Sequence, residues 1–179
     1  MDHVALLRGV NVGTAKRLAM ADLRRVAADL GHARPETVLN SGNLVFDSAS
    51  LLRSADVRRL RDAITAATGV DAELVVLDAE TFVRLVDANP LRRDGREPAR
   101  LSVGFTEAGA GLDGLAPPSA DLGDEELVVA DGAVYQWLPH GVLASRVPAG
   151  WWRAVPVTVT ARNDATLRRI RALLGRRGD

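Results

Sequence analysis

The chain contains no cysteine. Disulfides, cysteine-ligated zinc, iron–sulfur clusters and a thiol nucleophile are thereby excluded together. Lysine is nearly absent: Lys16 is the only one among 23 basic side chains. With abundant alanine, that bias has the look of GC-rich codon usage, so a single arginine carries little functional weight. No charge of either sign dominates, since 23 acidic residues balance the 23 basic ones. A global positive field that would draw in nucleic acid is therefore missing. No apolar run approaches the roughly 18–20 residues of a membrane span. The opening "MDHVALLRGV" lacks the basic start of a signal peptide. A soluble, cytoplasmic protein with no membrane association is expected.

What is present is a core. Apolar residues make up 47% of the 179 positions, far from a disordered composition. The length suits one domain, or two subdomains of about 80–90 residues each.

Periodicity gives an element order. "HVALLR" reads as a buried strand. "MADLRRVAADLG" is an amphipathic helix with Leu23, Val26, Ala27 and Leu30 on one face and Gly31 as its stop. "TVLNSGNLVFDS" is a hairpin about Ser41-Gly42. "SADVRRLRDAITAATG" is a second helix, with Ser54 as expected N-cap and Gly69 as C-cap. "AELVVLD" is a fourth strand, and a short helix ends at Asn89-Pro90. The order β-α-β-β-α-β predicts a four-stranded antiparallel sheet with both helices on one face, the ferredoxin-like plait.

"LRRDGREPAR" reads as a linker. After it come the strand "RLSVGFT", a Gly/Pro-rich stretch, a hairpin about Asp131-Gly132, an ambiguous "SRVPAGWWRAV", the strand "VTVTA" and a closing helix capped by Asn163 or Asp164. The expected fold class is α+β with two ferredoxin-like subdomains in tandem. The first covers 1–90, the linker 91–100, and a degenerate second subdomain with a C-terminal helix 101–179. Strands one and four are apolar on both faces, so the helix-free face needs a cover. The second block would supply it in a monomer, and a second copy in a homodimer. Residues 162 to 177 hold six arginines with only Asp164 as an acid, which reads as a solvated helix face.

The stretches able to carry chemistry are few. "RGVNVGTAKR" follows the first strand, but its glycines and Lys16 have the wrong spacing for a Walker A loop or a dinucleotide fingerprint. It is either a tight connection or a loose anion nest in which Gly9 and Gly13 let backbone amides converge with Arg8, Lys16 and Arg17 nearby. "NSGN" is a turn, or a pair of amide donors, Asn40 and Asn43, flanking Ser41-Gly42. "TARND" places Arg162 and Asn163 before a helix N-terminus, as a cap or an anion site. Trp151 and Trp152 either pack or stack bases, with packing the simpler reading. His3, His32 and His140 have no metal spacing. No catalytic motif is present, so the chain is not assigned as an enzyme, and no metal or cofactor is expected.

Three stretches, "ALLRGVNVGTAKRLAMADLRRVAADLG", "VLNSGNLVF" and "TARNDATLRRIRALL", resemble a bacterial family known as domain of unknown function 1697. Its members carry LLRG-I/V-NVGG, SGN-V/L-V/L-F and T-x-RNW-x-T. The resemblance implies two ferredoxin-like subdomains and no established reaction. The matching positions are Arg8, Gly9, Asn11, Gly13, Met20, Leu23, Ser41, Gly42, Asn43, Phe46, Thr160, Arg162 and Asn163. Thr14 replaces the second glycine, and Asp164 replaces the tryptophan.

Three functions are consistent with these residues. The first is a non-catalytic binding protein with a polar cleft between subdomains, taking a small anionic ligand. Its candidate residues are Arg8, Asn11, Ser41, Asn43, Arg162 and Asn163. The second is an enzyme acting on a small phosphorylated or nucleotide-like substrate through Arg8, Asn11, Asn43 and Arg162. The third, single-stranded nucleic-acid binding, ranks last because it needs exposed aromatics on central strands. Strands one and three are expected to run parallel, which puts the "RGVNVG" loop and the "NSGN" turn at opposite ends of the sheet, where they share no pocket. "NSGN" would then be the motif to meet Arg162.

Overall fold

A computed structural model describes residues 1–11, 17–107 and 111–178. The chain is a mixed α+β structure with two four-stranded antiparallel sheets. It divides into two compact units, Met1–Phe82 with Arg169–Asp179, and Val83–Arg168. Among the described residues no helix is long and apolar enough to cross a membrane.

The first unit contains β1 (Asp2–Leu7), α1 (Met20–Asp29), β2 (Ala33–Val38), β3 (Asn43–Asp47), α2 (Ser54–Thr68) and β4 (Leu74–Asp78), with sheet order β2-β3-β1-β4. Alternation in the strands sends Ala5, Leu7, Leu44, Phe46, Leu74 and Val76 toward the helices. There they pack with Leu23, Val26 and Ala27 of α1 and Val57, Leu60 and Ile64 of α2. The opposite face, with Val4, Leu6, Val45, Val75 and Leu77, is buried as well. This two-sided burial is why the central strand reads as a continuous apolar run.

The helix ends follow local chemistry, with one correction. Ser54 is the first helical residue rather than the cap, and the Asp56 carboxylate accepts the Arg53 N–H at 2.9 Å. Gly69 closes α2 at φ 69°, as a left-handed stop should. β2 is an edge strand with Pro35 inside it, Arg34 at φ 48°, and a register shift between Ala33 and Glu36.

The second unit holds β5 (Leu101–Phe105), β6 (Glu126–Ala130), β7 (Ala133–Trp137) and β8 (Thr160–Asn163), in the order β6-β7-β5-β8. The hairpin turns at Asp131 (φ 53°) and Gly132 (φ 81°), the two left-handed positions of a type I′ turn. α3 (Ala79–Asp87) and α5 (Asp164–Gly178) each carry the chain across a unit boundary. The ambiguous stretch forms α4 (Ala149–Ala154). Trp151 and Trp152 meet edge to face and pack against Leu112, Leu127, Val134 and Val147. The last strand begins at Thr160 rather than Val157. Asn163 is the cap of α5, its Oδ1 accepting the Thr166 N–H at 2.9 Å. Asp164 is fully buried between the guanidinium groups of Arg92 and Arg168.

The arginine run is not uniformly solvated. The Arg177 side chain is 3% exposed and sits among carboxylates of Asp2 (2.7 Å), Glu36 (2.7 Å) and Asp47 (3.3 Å). One guanidinium thus ties α5 to the starts of β1 and β2 and the end of β3. A hydrogen bond with the Asp2 carboxyl, joined by Arg34 and Arg177, holds the Asp47 carboxyl well below the usual carboxylate range.

Leu6→Ala is expected to cost about 2–5 kcal/mol, as a fully buried leucine loses transfer energy and leaves a cavity. Asn163→Ala should cost about 1 kcal/mol as a lost cap. Chemical denaturation of the two variants checks both the sizes and their order. Arg177→Ala should cost about 3–5 kcal/mol at neutral pH, because three carboxylates lose their shared cation. In the native protein the Asp47 contribution is fully present above its unfolded pKa of about 3.9 and fades as pH falls through its lower folded value. Stability curves between pH 7 and 2 should therefore converge for native protein and Arg177→Ala at the acid end.

Candidate functional site

The order of pairing corrects the expected placement of the two polar motifs. β1 and β3 are antiparallel, with Leu6 opposite Asn43. The helical crossover returns β2 in the direction of β1, and the hairpin then reverses β3. The loop leaving β1 and the turn entering β3 therefore lie at the same end of the sheet. Leu7 N–H donates to the Gly42 carbonyl at 2.9 Å.

Close approach explains several residue types here. Gly42 has φ 73°, and a Cβ on it would come within 2.6 Å of Val10 Cγ2 and 2.8 Å of Leu7 Cβ. No side chain fits. Leu39 at φ 58° and Asn11 at φ 56° hold left-handed backbone conformations without being glycine. Such positions are strained for leucine and better tolerated by asparagine.

Asn11 is the brace of this end. Its Nδ2 donates to the carbonyls of Leu18 (2.9 Å) and Asn40 (2.6 Å), and its Oδ1 accepts the Leu18 N–H at 2.8 Å. One amide thus closes the loop onto Leu18 and ties it to the hairpin. Asn43 works similarly inside the turn. It is fully buried, and Nδ2 donates to the Val38 carbonyl (2.9 Å) and to Ser41 Oγ (3.0 Å). Arg8 pairs with Glu73 at 3.0 Å on the surface. Gly13 and Lys16 of the expected nest, and Thr14 between them, lie outside the described residues.

Beside the brace runs an open groove lined by Asn11, Arg17, Leu18, Ala19, Met20, Asp22 and Asn40. Arg17 and Asn40 are exposed. Asp22 pairs with Arg25 at 3.0 Å. Of the candidates read from sequence, Arg8, Asn11, Ser41 and Asn43 come together in the first unit. Arg162 and Asn163 belong to the second unit. Burial pushes the Arg162 guanidinium down to about 10, which still leaves it charged at neutral pH, and Nη1 donates to the Ala161 carbonyl.

Sequence reasoning passed over Leu18 and Met20 as groove residues. Their contribution depends on a side-chain-to-backbone brace between positions 11 and 18, which leaves no periodic signal. Among the described residues lining the groove the one acid is Asp22, and its carboxylate is held by Arg25. The single tyrosine, Tyr135, is fully buried, donates to the Leu85 carbonyl at 2.9 Å, and is pushed up to about 12 by burial. Among the described residues no group of three or more His, Cys, Asp or Glu could hold a metal ion. Phe46 and Phe105 are both fully buried, so neither is available for stacking a base.

Asn11→Ala removes the acceptor of the Leu18 N–H and places alanine at a positive φ. It should lower stability by about 1–3 kcal/mol, the cost of leaving a buried donor unsatisfied. A denaturant midpoint equal to that of the native protein would instead make Asn11 a ligand donor alone.

Comparison with known proteins supplies a family and a fold. No curated protein matches the chain. A solved structure titled "The structure of conserved bacterial protein SP0830 from Streptococcus pneumoniae" is similar, with a TM-score of 0.70 and 24% sequence identity over 97% of this chain and 98% of that one. At that identity the likeness concerns the fold alone. The family described as "Protein of unknown function (DUF1697)" matches residues 1–135, which include the whole braced end of the first sheet. The chain belongs to the DUF1697 family.

Proposed function

We propose that this is a non-catalytic binding protein that takes a small anionic ligand in the groove beside Asn11. The observation that carries this reading is the Asn11 brace. Three hydrogen bonds from one amide fix the two loops against each other, so the groove is formed before any ligand arrives. Preorganisation of this kind lowers the ordering cost of binding. The exposed Arg17 supplies the charge, and the exposed Asn40 an amide able to donate. Asn11 and Asn43 act as positioning residues, because their amide nitrogens are engaged within the fold.

The one carboxylate among the described groove residues, Asp22, is engaged by Arg25, which favours binding over the alternative of an enzyme for phosphorylated or nucleotide-like substrates. The buried Phe46 and Phe105 weigh against single-stranded nucleic acid. We read each unit as a ferredoxin-like subdomain, supported by the repeated orders β2-β3-β1-β4 and β6-β7-β5-β8. By sequence the proposed division is 1–90 and 101–179, joined by 91–100, although the closing residues Arg169–Asp179 group with the first unit.

Calorimetric titration with inorganic phosphate and with a nucleoside monophosphate tests the reading. At least one should bind, and Arg17→Ala should weaken it about tenfold, the loss of one charge-assisted contact, with an unchanged melting temperature. Conversion of a phosphoester, or binding indifferent to Arg17→Ala, would overturn it.

A further inference from the structure

At the other end of the first sheet two histidines share one aromatic ring. His3 stacks on Phe46 with centroids 5.7 Å apart and planes 15° from parallel. His32, just after the turn that ends α1, lies 4.4 Å from the same ring. His3 is 1% exposed. Its Nδ1 faces the Met1 carbonyl at 3.1 Å, so the neutral ring carries its proton there and donates it. Nε2 is then a bare lone pair, buried with no partner. A proton added to it would have no acceptor.

The surroundings offer little compensation. Around His3 stand the Met1 ammonium, Asp2 and, across the β1–β4 register, Asp78. Asp78 is already engaged, accepting the Thr81 N–H at the start of α3 at 2.8 Å. Around His32 stand His3 and, from α2, Asp56 and Arg59. Asp56 accepts the Arg53 N–H. A small polar cavity lined by His32, Ser48, Ser50, Asp56 and Arg59 lies against this ring, which gives water a route to it.

We infer that His3 and His32 form a proton-operated latch: neutral, they clamp Phe46 and hold the start of β1 and the α1–β2 connection closed, and protonation releases that end while the second unit stays folded. Burial lowers both imidazoles below their ordinary value of 6.5. A depressed folded value means that the contribution to stability is complete above the unfolded value and is lost as pH falls through the folded one. The latch therefore weakens on acidification below about pH 6.5. The carboxylate at Asp47 gives way only below about pH 4, so the histidine response begins at higher pH than the Asp47 response.

Amide hydrogen exchange on the full chain, expressed as protection factors at pH 7.5 and 5.5, tests this. Amides at the start of β1, the end of β3 and residues 31–33 should lose protection about tenfold or more, while those of β5 and β7 keep theirs. His32→Phe keeps a ring against Phe46 without its charge and should show a reduced loss. NMR titration of the imidazole protons in the unsubstituted chain gives a readout that needs no variant. His3 should titrate below 6.5, in step with the change in exchange. Uniform loss across both units, no loss at pH 5.5, a full response in His32→Phe, or a His3 ring that titrates while exchange stays unchanged would each overturn the latch.

Discussion

The antiparallel register of β1 against β3 governs the first unit. Pairing Leu6 with Asn43 and His3 with Phe46 decides at once what meets at each end of the sheet. At one end it brings the loop after β1 against the hairpin turn, so that Gly42 must be glycine and Asn11 can reach Asn40. At the other it sets an imidazole against a phenyl ring. β1, like β3, has neighbours on both sides and burial on both faces. Any change that shifts its register by one residue would turn Ala5 and Leu7 away from the helices and Val4 and Leu6 toward them.

Much of this was legible in the sequence, and the failures have physical causes. Periodicity located α1 and α2 because their buried residues recur at three- and four-residue spacing, and Asp131-Gly132 announced its turn through two residues that accept positive φ. The polar motifs were visible as unusual composition, but not as neighbours. Their meeting depends on strand direction, and the assumption that β1 and β3 run parallel placed them at opposite ends. The roles of Asn11 and Asn43 were misjudged in the same way. A polar residue near a ligand and a polar residue satisfying buried backbone look identical in sequence, and only partner atoms distinguish them.

Arg177 illustrates a different limit. It sits in an arginine-rich helical tail whose spacing suggests exposure, yet its guanidinium is among the most enclosed polar groups of the first unit. Its partners lie more than 100 positions away in sequence, at Asp2, Glu36 and Asp47. Long-range charge pairing of this sort leaves no local pattern. Replacement by lysine would also be a substantial change, since a single ammonium cannot present the forked donors that reach three acids and a backbone carbonyl at once.

The edge strand β2 has a consequence for how copies of this protein coexist. Pro35 removes one backbone donor from the outer margin, and the left-handed Arg34 and the shifted register between Ala33 and Glu36 break the regular ladder beside it. A second chain arriving there would find no even row of donors and acceptors to zip onto. At high concentration, sheet growth through β2 is thereby discouraged, and the protein can keep a heavily apolar sheet without offering that margin as a template for fibrils.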